Sequence, residues 1–372
     1  MIDTFLKDLE KLVNIDSGSG HAEGIAKVAN FFADRYAKLG FTVSTPVFNE
    51  KLGPCLEVRT DGGDEFDVLI VGHMDTVFPE GTAAERPFSI VDDRAYGPGV
   101  IDMRSCMLLA ESALADLLAD GRLPRVCVAY NCDEEIGSPS SSQWLSALAK
   151  ASRCVLVVEP ARVDGSLVLE RKGGSNLELE FQGKAAHAGV EPEKGRSAIT
   201  ELAHWVLALN ELNDYEKGTT LNVGVARGGS TVNVVPDSAK ASVDFRFRTE
   251  EEYTRVQDRL KELVKGPFVE GVTVLVTEEH LRQPMSPTDK TEKLCRLAER
   301  IGKEINLNIT WAKTGGGSDG NTTAALGVPT LDGLGPVGGK SHSVEEYLEI
   351  PSIEPRLKLL SELIARAPEL EL

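Results

Sequence analysis

The residues whose types and spacing suit chemistry begin with His73 and Asp75, which follow the apolar run Val68-Leu69-Ile70-Val71 and Gly72. Such a run reads as a strand buried on both faces. Side chains two apart on extended backbone point the same way, so an imidazole and a carboxylate arrive together at the strand's carboxyl end. Open α/β sheets place their ligand crevice there. His73 can then ligate a metal, with Asp75 fixing its tautomer. A histidine simply hydrogen-bonded to a neighbouring Asp is the other reading of the pair. Gly97-Pro98-Gly99-Val100-Ile101-Asp102-Met103 forces a tight turn that presents Asp102 just before a helix, where capping is the commoner role for Asp. A second buried strand, 125–131, ends in Asp133, Glu134 and Glu135, and three adjacent carboxylates repel one another unless a cation neutralises them. A third, 154–158, ends in Glu159, and the glycine-rich stretch 338–345 carries His342. His73, Asp102, Glu135, Glu159 and His342 thus supply two imidazoles and three carboxylates, a donor mixture suited to zinc. With one carboxylate shared, these five residues can hold two ions, which together polarise a carbonyl and activate water.

The elements that must position these groups alternate. Helices are expected over 1–14, 22–39 and 103–119, and strands over 42–47, 56–59, 68–71, 125–131 and 154–158, with a long Gly-, Pro- and charge-rich loop over 78–98. This order predicts an α/β catalytic domain, a mostly parallel sheet flanked by helices. Near Gly173 the pattern changes to apolar–polar alternation. Strands over 176–182, 220–226, 231–235, 239–248 and 272–277, with helices over 197–212 and 250–264, suggest an antiparallel sheet with helices on one face. A smaller α+β lid or dimerisation domain, 174–282, is therefore expected as an insertion in a discontinuous catalytic domain, 1–173 and 283–372. The first pattern returns with a helix over 291–302 and the loop 315–321, whose Asp319 can contact substrate or cap a helix.

Composition narrows the function classes. With 372 residues the chain is long for one core. A net charge of -18 argues against a nucleic-acid or anionic-membrane partner, and an anionic substrate would need a local basic pocket. The start reads as an amphipathic helix rather than a signal peptide, and no apolar run is long enough to span a bilayer. Six scattered cysteines fit reduced thiols in a cytoplasmic protein and leave any metal to His and carboxylates.

Taken in order, Gly72-His73-Met74-Asp75-Thr76-Val77, Gly97 to Met103, Asp133-Glu134-Glu135-Ile136-Gly137-Ser138, Glu159-Pro160, Gly183-Lys184-Ala185-Ala186-His187-Ala188-Gly189 and Ser341-His342-Ser343 resemble one family. It is that of the dizinc metallopeptidases, which includes glutamate carboxypeptidase, acetylornithine deacetylase, succinyl-diaminopimelate desuccinylase, aminoacylase and tripeptide aminopeptidase. The glutamate carboxypeptidase branch is the nearest, and the resemblance covers nearly the whole chain. It implies that His73 and Glu159 bind one zinc, Glu135 and His342 the other, and that Asp102 bridges them. Cobalt or manganese could replace zinc. Glu134 would be general base and acid, and its place one position before a ligand lets it overhang an attacking water. His187 would stabilise the tetrahedral intermediate, in its own or a partner subunit, since family members usually form homodimers through the inserted domain. Asn233 matches a family asparagine near the intermediate. Lys172, Arg246 and Arg282 match basic positions that hold the substrate's free carboxylate or acidic side chain, with a surface ion pair as the other reading of each.

After Asp102-Met103 the family usually continues Lys-Gly-Gly, whereas this chain has Arg104-Ser105-Cys106, which puts substrate identity in doubt. The reading is a carboxypeptidase-like hydrolase acting on a small peptide or N-acyl amino acid. The alternatives are an N-acyl-amino-acid deacylase and a non-catalytic binding protein on the same fold. A serine hydrolase built on Ser318 lacks the G-x-S-x-G elbow.

Overall fold

In a computed structural model that describes residues 1–60 and 63–371, the chain divides into two compact units. The larger comprises 1–170, 285–314 and 318 to the end, and the smaller comprises 171–284 with 315–317. Leu372, the last residue of the outer segment, lies outside the described residues.

The larger unit opens with helices α1 (Ile2–Val13) and α2 (Ala22–Lys38), followed by strands β1 (Thr42–Ser44), β2 (Leu56–Arg59) and β3 (Phe66–His73). Helix α3 (Ser105–Ala119), strand β4 (Val126–Asn131), helix α4 (Ser142–Lys150) and strand β5 (Ser152–Val157) follow. After the smaller unit the chain adds helix α7 (Asp289–Glu304), strand β10 (Thr330–Leu331) and the closing helix α8 (Ile353–Arg366). The six-stranded sheet has the order β1-β2-β4-β3-β5-β10. The β3–β4, β3–β5 and β5–β10 pairs are parallel, and the β1–β2 and β2–β4 pairs antiparallel, so the sheet is mostly parallel as expected. Both faces are buried, and the two-residue period sorts them. Val68, Ile70, Val126, Val128, Cys154 and Leu156 share a core with α1, α2, α3 and α8. Leu69, Val71, Cys127, Ala129, Val155 and Val157 pack on Leu145 and Leu148 of α4. This two-sided burial holds the carboxyl ends of β3, β4 and β5 side by side.

The smaller unit runs β6 (Gly173–Gln182), α5 (Ala198–Asn210), β7 (Thr220–Gly228), β8 (Ser238–Phe247), α6 (Glu250–Lys265) and β9 (Thr273–Arg282). Its antiparallel sheet has the order β7-β8-β6-β9. One face is apolar: Leu177, Leu179, Phe181, Val243, Phe245 and Phe247 pack on Trp205 and Leu209 of α5 and on Val256 and Leu260 of α6. Thr249 caps α6 by accepting from the Glu252 amide.

Three expectations are corrected. Of 231–235, only Val234–Val235 is strand, and it pairs with Ala186–His187 rather than joining the main sheet. Gly229 turns the chain at φ 73° just before it and Pro236 ends it. The stretch 78–98 is not all loop: Ser89–Val91 and Arg94–Tyr96 form a hairpin about Asp92, and Arg94–Tyr96 also pairs with Tyr347–Glu349. The helix expected from Met103 begins at Ser105, because Asp102 and Met103 lie outside helical φ/ψ. All six cysteines are buried and free of disulfides. Among the described residues no helix is long and apolar enough to cross a membrane.

Candidate metal centre and active site

His73 is the last residue of β3, and Glu135 follows β4 in a short helical turn (Glu134–Ile136). Glu159 stands two residues beyond β5. Asp102 and His342 come from loops, and His342 adopts φ 64°, a left-handed conformation in which histidine is over-represented. All five expected ligands are in the larger unit, and their donor atoms converge. His73 Nε2 lies 3.2 Å from Asp102 Oδ1 and 3.6 Å from Glu159 Oε1. His342 Nε2 lies 3.3 Å from Asp102 Oδ2 and 3.1 Å from Glu135 Oε2. Each oxygen of Asp102 therefore faces a different imidazole, and each imidazole faces a second carboxylate.

Three observations fit this set to cations. His73, Asp102 and Glu135 offer donor atoms within 4.8 Å of one another, as do His73, Glu134 and Glu159. Glu135 Oε1 is buried without a hydrogen-bond partner, a costly state for a carboxylate oxygen unless a cation satisfies it. His73 Nδ1 lies 3.0 Å from the Asp75 carbonyl oxygen, so an N–H there leaves the Nε2 lone pair aimed at Asp102 and Glu159. The electrostatics agree. Burial opposes charge on His73, but Asp102, Asp75 and Glu159 outweigh it and raise its pKa well above the ordinary value. Hydrogen bonds to Asp102 and Glu135 push His342 up to about 10. Burial raises Glu135. Burial also acts upward on Asp102, but His342 and His73 outweigh it and hold the carboxyl below its usual range. Positive charge is favoured at the centre of the cluster.

Asp75 does more than orient His73. Its buried carboxylate accepts the Glu134 and Glu135 amides at 3.1 Å each and the Ser19 hydroxyl at 2.7 Å. One carboxylate thus fixes the backbone of the proposed base and of its neighbouring ligand. Buried Glu346 was not foreseen. Its carboxylate accepts the amides of Gly99, Ile101 and Asp102 at 3.0, 3.0 and 3.1 Å and so holds the turn that presents Asp102. Burial pushes its carboxyl up to about 7 against the pull of those amides. Gly99 sits in this turn at φ 69°, where a Cβ would come within 2.8 Å of Thr76 Cγ2. The Asp102–Met103 peptide is cis.

The Arg104-Ser105-Cys106 departure is buried away from solvent. Arg104 Nη1 donates to the Met74 carbonyl at 3.1 Å, Nη2 donates to Ser17 Oγ, and burial pushes the guanidinium down to about 10. The Cys106 thiol donates to the Ile101 carbonyl at 3.2 Å. Asp319 is also buried, and its carboxylate accepts from Asn131 Nδ2 at 2.8 Å and from Ser138 Oγ at 2.5 Å. It braces the β4 end, while Ser318 caps the short helix beside it.

The remaining expected residues belong to the smaller unit. His187 and Asn233 are neighbours: His187 pairs with Val234, and the Ala188 amide donates to the Asn233 carbonyl at 2.9 Å. Both side chains are exposed, and His187 Nδ1 accepts the Gly189 amide at 3.1 Å. Arg246 and Arg282 flank Gly174 in register, on β8 and β9 either side of β6. Arg246 is paired with Asp244, its Nη2 standing 2.8 Å from Oδ1. Burial, then Arg248 and Arg246, lower the Lys172 pKa, which marks a concentration of positive charge at this sheet end. Arg248, one residue past β8, was not singled out, although it adds to this charge beside Lys172.

Residues 169–272 match the family model described as the peptidase dimerisation domain of M20 peptidases. The chain is 32% identical over 371 residues to carboxypeptidase G2 of Pseudomonas sp., covering 96% of this chain and 88% of that one. It is 25% identical to succinyl-diaminopimelate desuccinylase of Methylorubrum extorquens, covering 87% and 89%. An M20 family metallo-carboxypeptidase from Sulfolobus solfataricus has the same fold, with a TM-score of 0.79 at 20% identity over 98% of this chain and 99% of that one. The chain belongs to the M20 family of metallopeptidases and is a hydrolytic enzyme. Its larger unit carries a candidate His/Asp/Glu metal site.

Proposed function

We propose that this enzyme is a zinc-dependent, cytoplasmic exopeptidase. It would cleave the amide bond preceding a C-terminal acidic residue, in a short peptide or an N-acyl amino acid, and would act as a homodimer joined through its smaller unit. The observation that carries the reading is the division of Asp102, with one oxygen toward His73 and the other toward His342. That arrangement suits a carboxylate shared by two ions, with His73 and Glu159 completing one position and His342 and Glu135 the other. Bound there, two zinc ions would supply Lewis acidity to the scissile carbonyl and lower the pKa of water.

The chain's own groups do the rest. Glu134 accepts the proton of the attacking water and returns it to the leaving amine. Asp75 keeps the Glu134 backbone fixed, so the base does not reorganise during the reaction. His187 and Asn233 donate hydrogen bonds to the developing oxyanion, and Arg246 and Lys172, with Arg282, bind the free carboxylates of the departing residue.

A screen of dipeptides and N-acyl amino acids, with and without chelator, tests the reaction. Glu134→Ala is expected to lower kcat by roughly three orders of magnitude or more while two metal equivalents stay bound, as counted by atomic emission. Retained turnover would remove Glu134 from the mechanism. Cleavage that survives chelation would remove the metal.

A further inference from the structure

The turn that presents Asp102 and the end of β3 that presents His73 meet along three consecutive residues. Asp102 Oδ1 faces His73 Nε2. Met103 Sδ accepts the His73 amide at 3.0 Å. Arg104 reaches one residue further: Nη1 donates at 3.1 Å to the carbonyl of Met74, the residue between His73 and Asp75. Its own amide donates to the Gly99 carbonyl at 3.0 Å and closes the turn. Arg104 is thus bonded to both segments at once. Ser17 completes the grip. Its hydroxyl accepts from Arg104 Nη2 and donates to the same Met74 carbonyl at 2.7 Å, and its backbone carbonyl accepts the Thr76 amide at 3.0 Å.

The placement is costly for a cation. Arg104 is 1% exposed, so its hydration is lost, and its Nε is buried without a hydrogen-bond partner. Its side-chain hydrogen bonds go to uncharged oxygens. Burial opposes its charge, while Asp75, Glu346 and Asp16 favour it. Each of those carboxylates clamps backbone amides: Asp75 those of Glu134 and Glu135, Glu346 those of the Asp102 turn, and Asp16 those of Gly81 and Ala83. The guanidinium is a countercharge shared by three clamps. Its planar fork serves a carbonyl and a hydroxyl at fixed angles, which the point charge of a lysine does not.

We propose that Arg104 is a positioning residue for the hydrolytic reaction: by gripping Met74 and Ser17 from the turn that carries Asp102, it fixes how Asp102 stands against His73. The inference rests on the metal-site reading above. It gives the departure at Arg104 a role in the geometry of the site.

The test uses the full chain, stripped of metal and reloaded with zinc. Arg104→Met keeps an unbranched chain and removes the donors. Zinc affinity in a chelator competition is expected to fall by roughly 10–100-fold. For whichever N-acyl amino acid or dipeptide the enzyme turns over best, kcat should fall by roughly tenfold or more while KM stays within about threefold. Arg104→Lys restores the charge and should lie between Arg104→Met and the parent in both readouts. Ser17→Ala should cost less, and the double variant should fall short of the product of the two single factors, because both residues hold one carbonyl. An Arg104→Met chain that unfolds more easily but keeps its zinc affinity and kcat would overturn the assignment, as would single factors that multiply in full. If Arg104→Met does not fold, Arg104→Lys and Ser17→Ala decide, and parental zinc affinity and kcat in both would overturn it. A parent that binds no zinc refutes the metal-site reading and this inference with it. A parent that binds zinc, matched by its variants, refutes this inference alone.

Discussion

Replacing Glu346 tests whether the metal site is built by backbone as much as by ligands. Its carboxylate takes three amide hydrogens from one turn, two on Oε1 (Ile101, Asp102) and one on Oε2 (Gly99), at 3.0–3.1 Å. Glu346 is 1% exposed, so water cannot readily replace it. A hydrogen bond to a charged group contributes roughly 1.5–3 kcal/mol, and the three share one acceptor, so Glu346→Ala should cost about 3–5 kcal/mol. Glu346→Gln is the sharper probe. Its amide oxygen can still serve Ile101 and Asp102, but its NH2 then faces the Gly99 N–H, for a loss of roughly 1–3 kcal/mol. Guanidinium unfolding of the metal-stripped protein reads this term alone. Because the Asp102 amide is one of the three donors, metal affinity should also fall by roughly 10–100-fold in a chelator competition. An unchanged unfolding midpoint together with unchanged metal affinity for Glu346→Gln would refute the claim that this carboxylate positions Asp102.

Three further outcomes follow from the smaller unit. Arg246→Ala should raise KM by roughly tenfold or more for substrates with a free α-carboxylate and leave carboxyl esters unaffected; equal effects on both would argue against carboxylate recognition. Asp244→Asn removes the acid now paired with that guanidinium, and should lower KM for the same substrates by a fewfold. In Glu252, hydrogen bonds from Arg255, helped by Thr219 and Lys217, overcome burial and hold the carboxyl down to about 2 from 4.5. A depressed folded-state pKa contributes stability that is complete above about pH 5 and is lost as pH falls toward 2. Glu252→Gln should therefore cost roughly 1–3 kcal/mol at neutral pH, with the gap to the parent narrowing through that acid window in thermal melts. A gap that stays constant with pH would place the effect in packing.

The ligand positions were legible because β3, β4 and β5 carry short apolar runs that lead into groups with no place in a core. His73, Glu135 and Glu159 each follow such a run, and the sheet's parallel order brings those ends together. Glu346 was not legible, since its partners are amides more than two hundred residues away and backbone donors leave no mark in composition. The nearest signal was a second acid beside Glu345 in a glycine-rich histidine loop. The hairpin around Asp92 was hidden by strands of three residues within a Gly-, Pro- and charge-rich stretch. The segment 231–235 misled in the other direction: its β-branched residues resemble a strand, yet Val232 is fully exposed and the ladder partners exist only for Val234 and Val235. The departure at Arg104 put substrate identity in doubt, whereas hydrogen bonds to Met74 and Ser17 draw the side chain inward.

The first and last strands of the smaller unit, β6 and β9, are hydrogen-bonded neighbours, with Gly174 opposite Arg282. The two ends of the insertion are thereby stapled about one strand spacing apart, near 5 Å. Once that module has folded, it closes the gap between the flanking halves of the chain, and the loop entropy of joining them is already spent. A cassette whose terminals lie side by side adds residues to a host chain without holding the host's flanking segments apart.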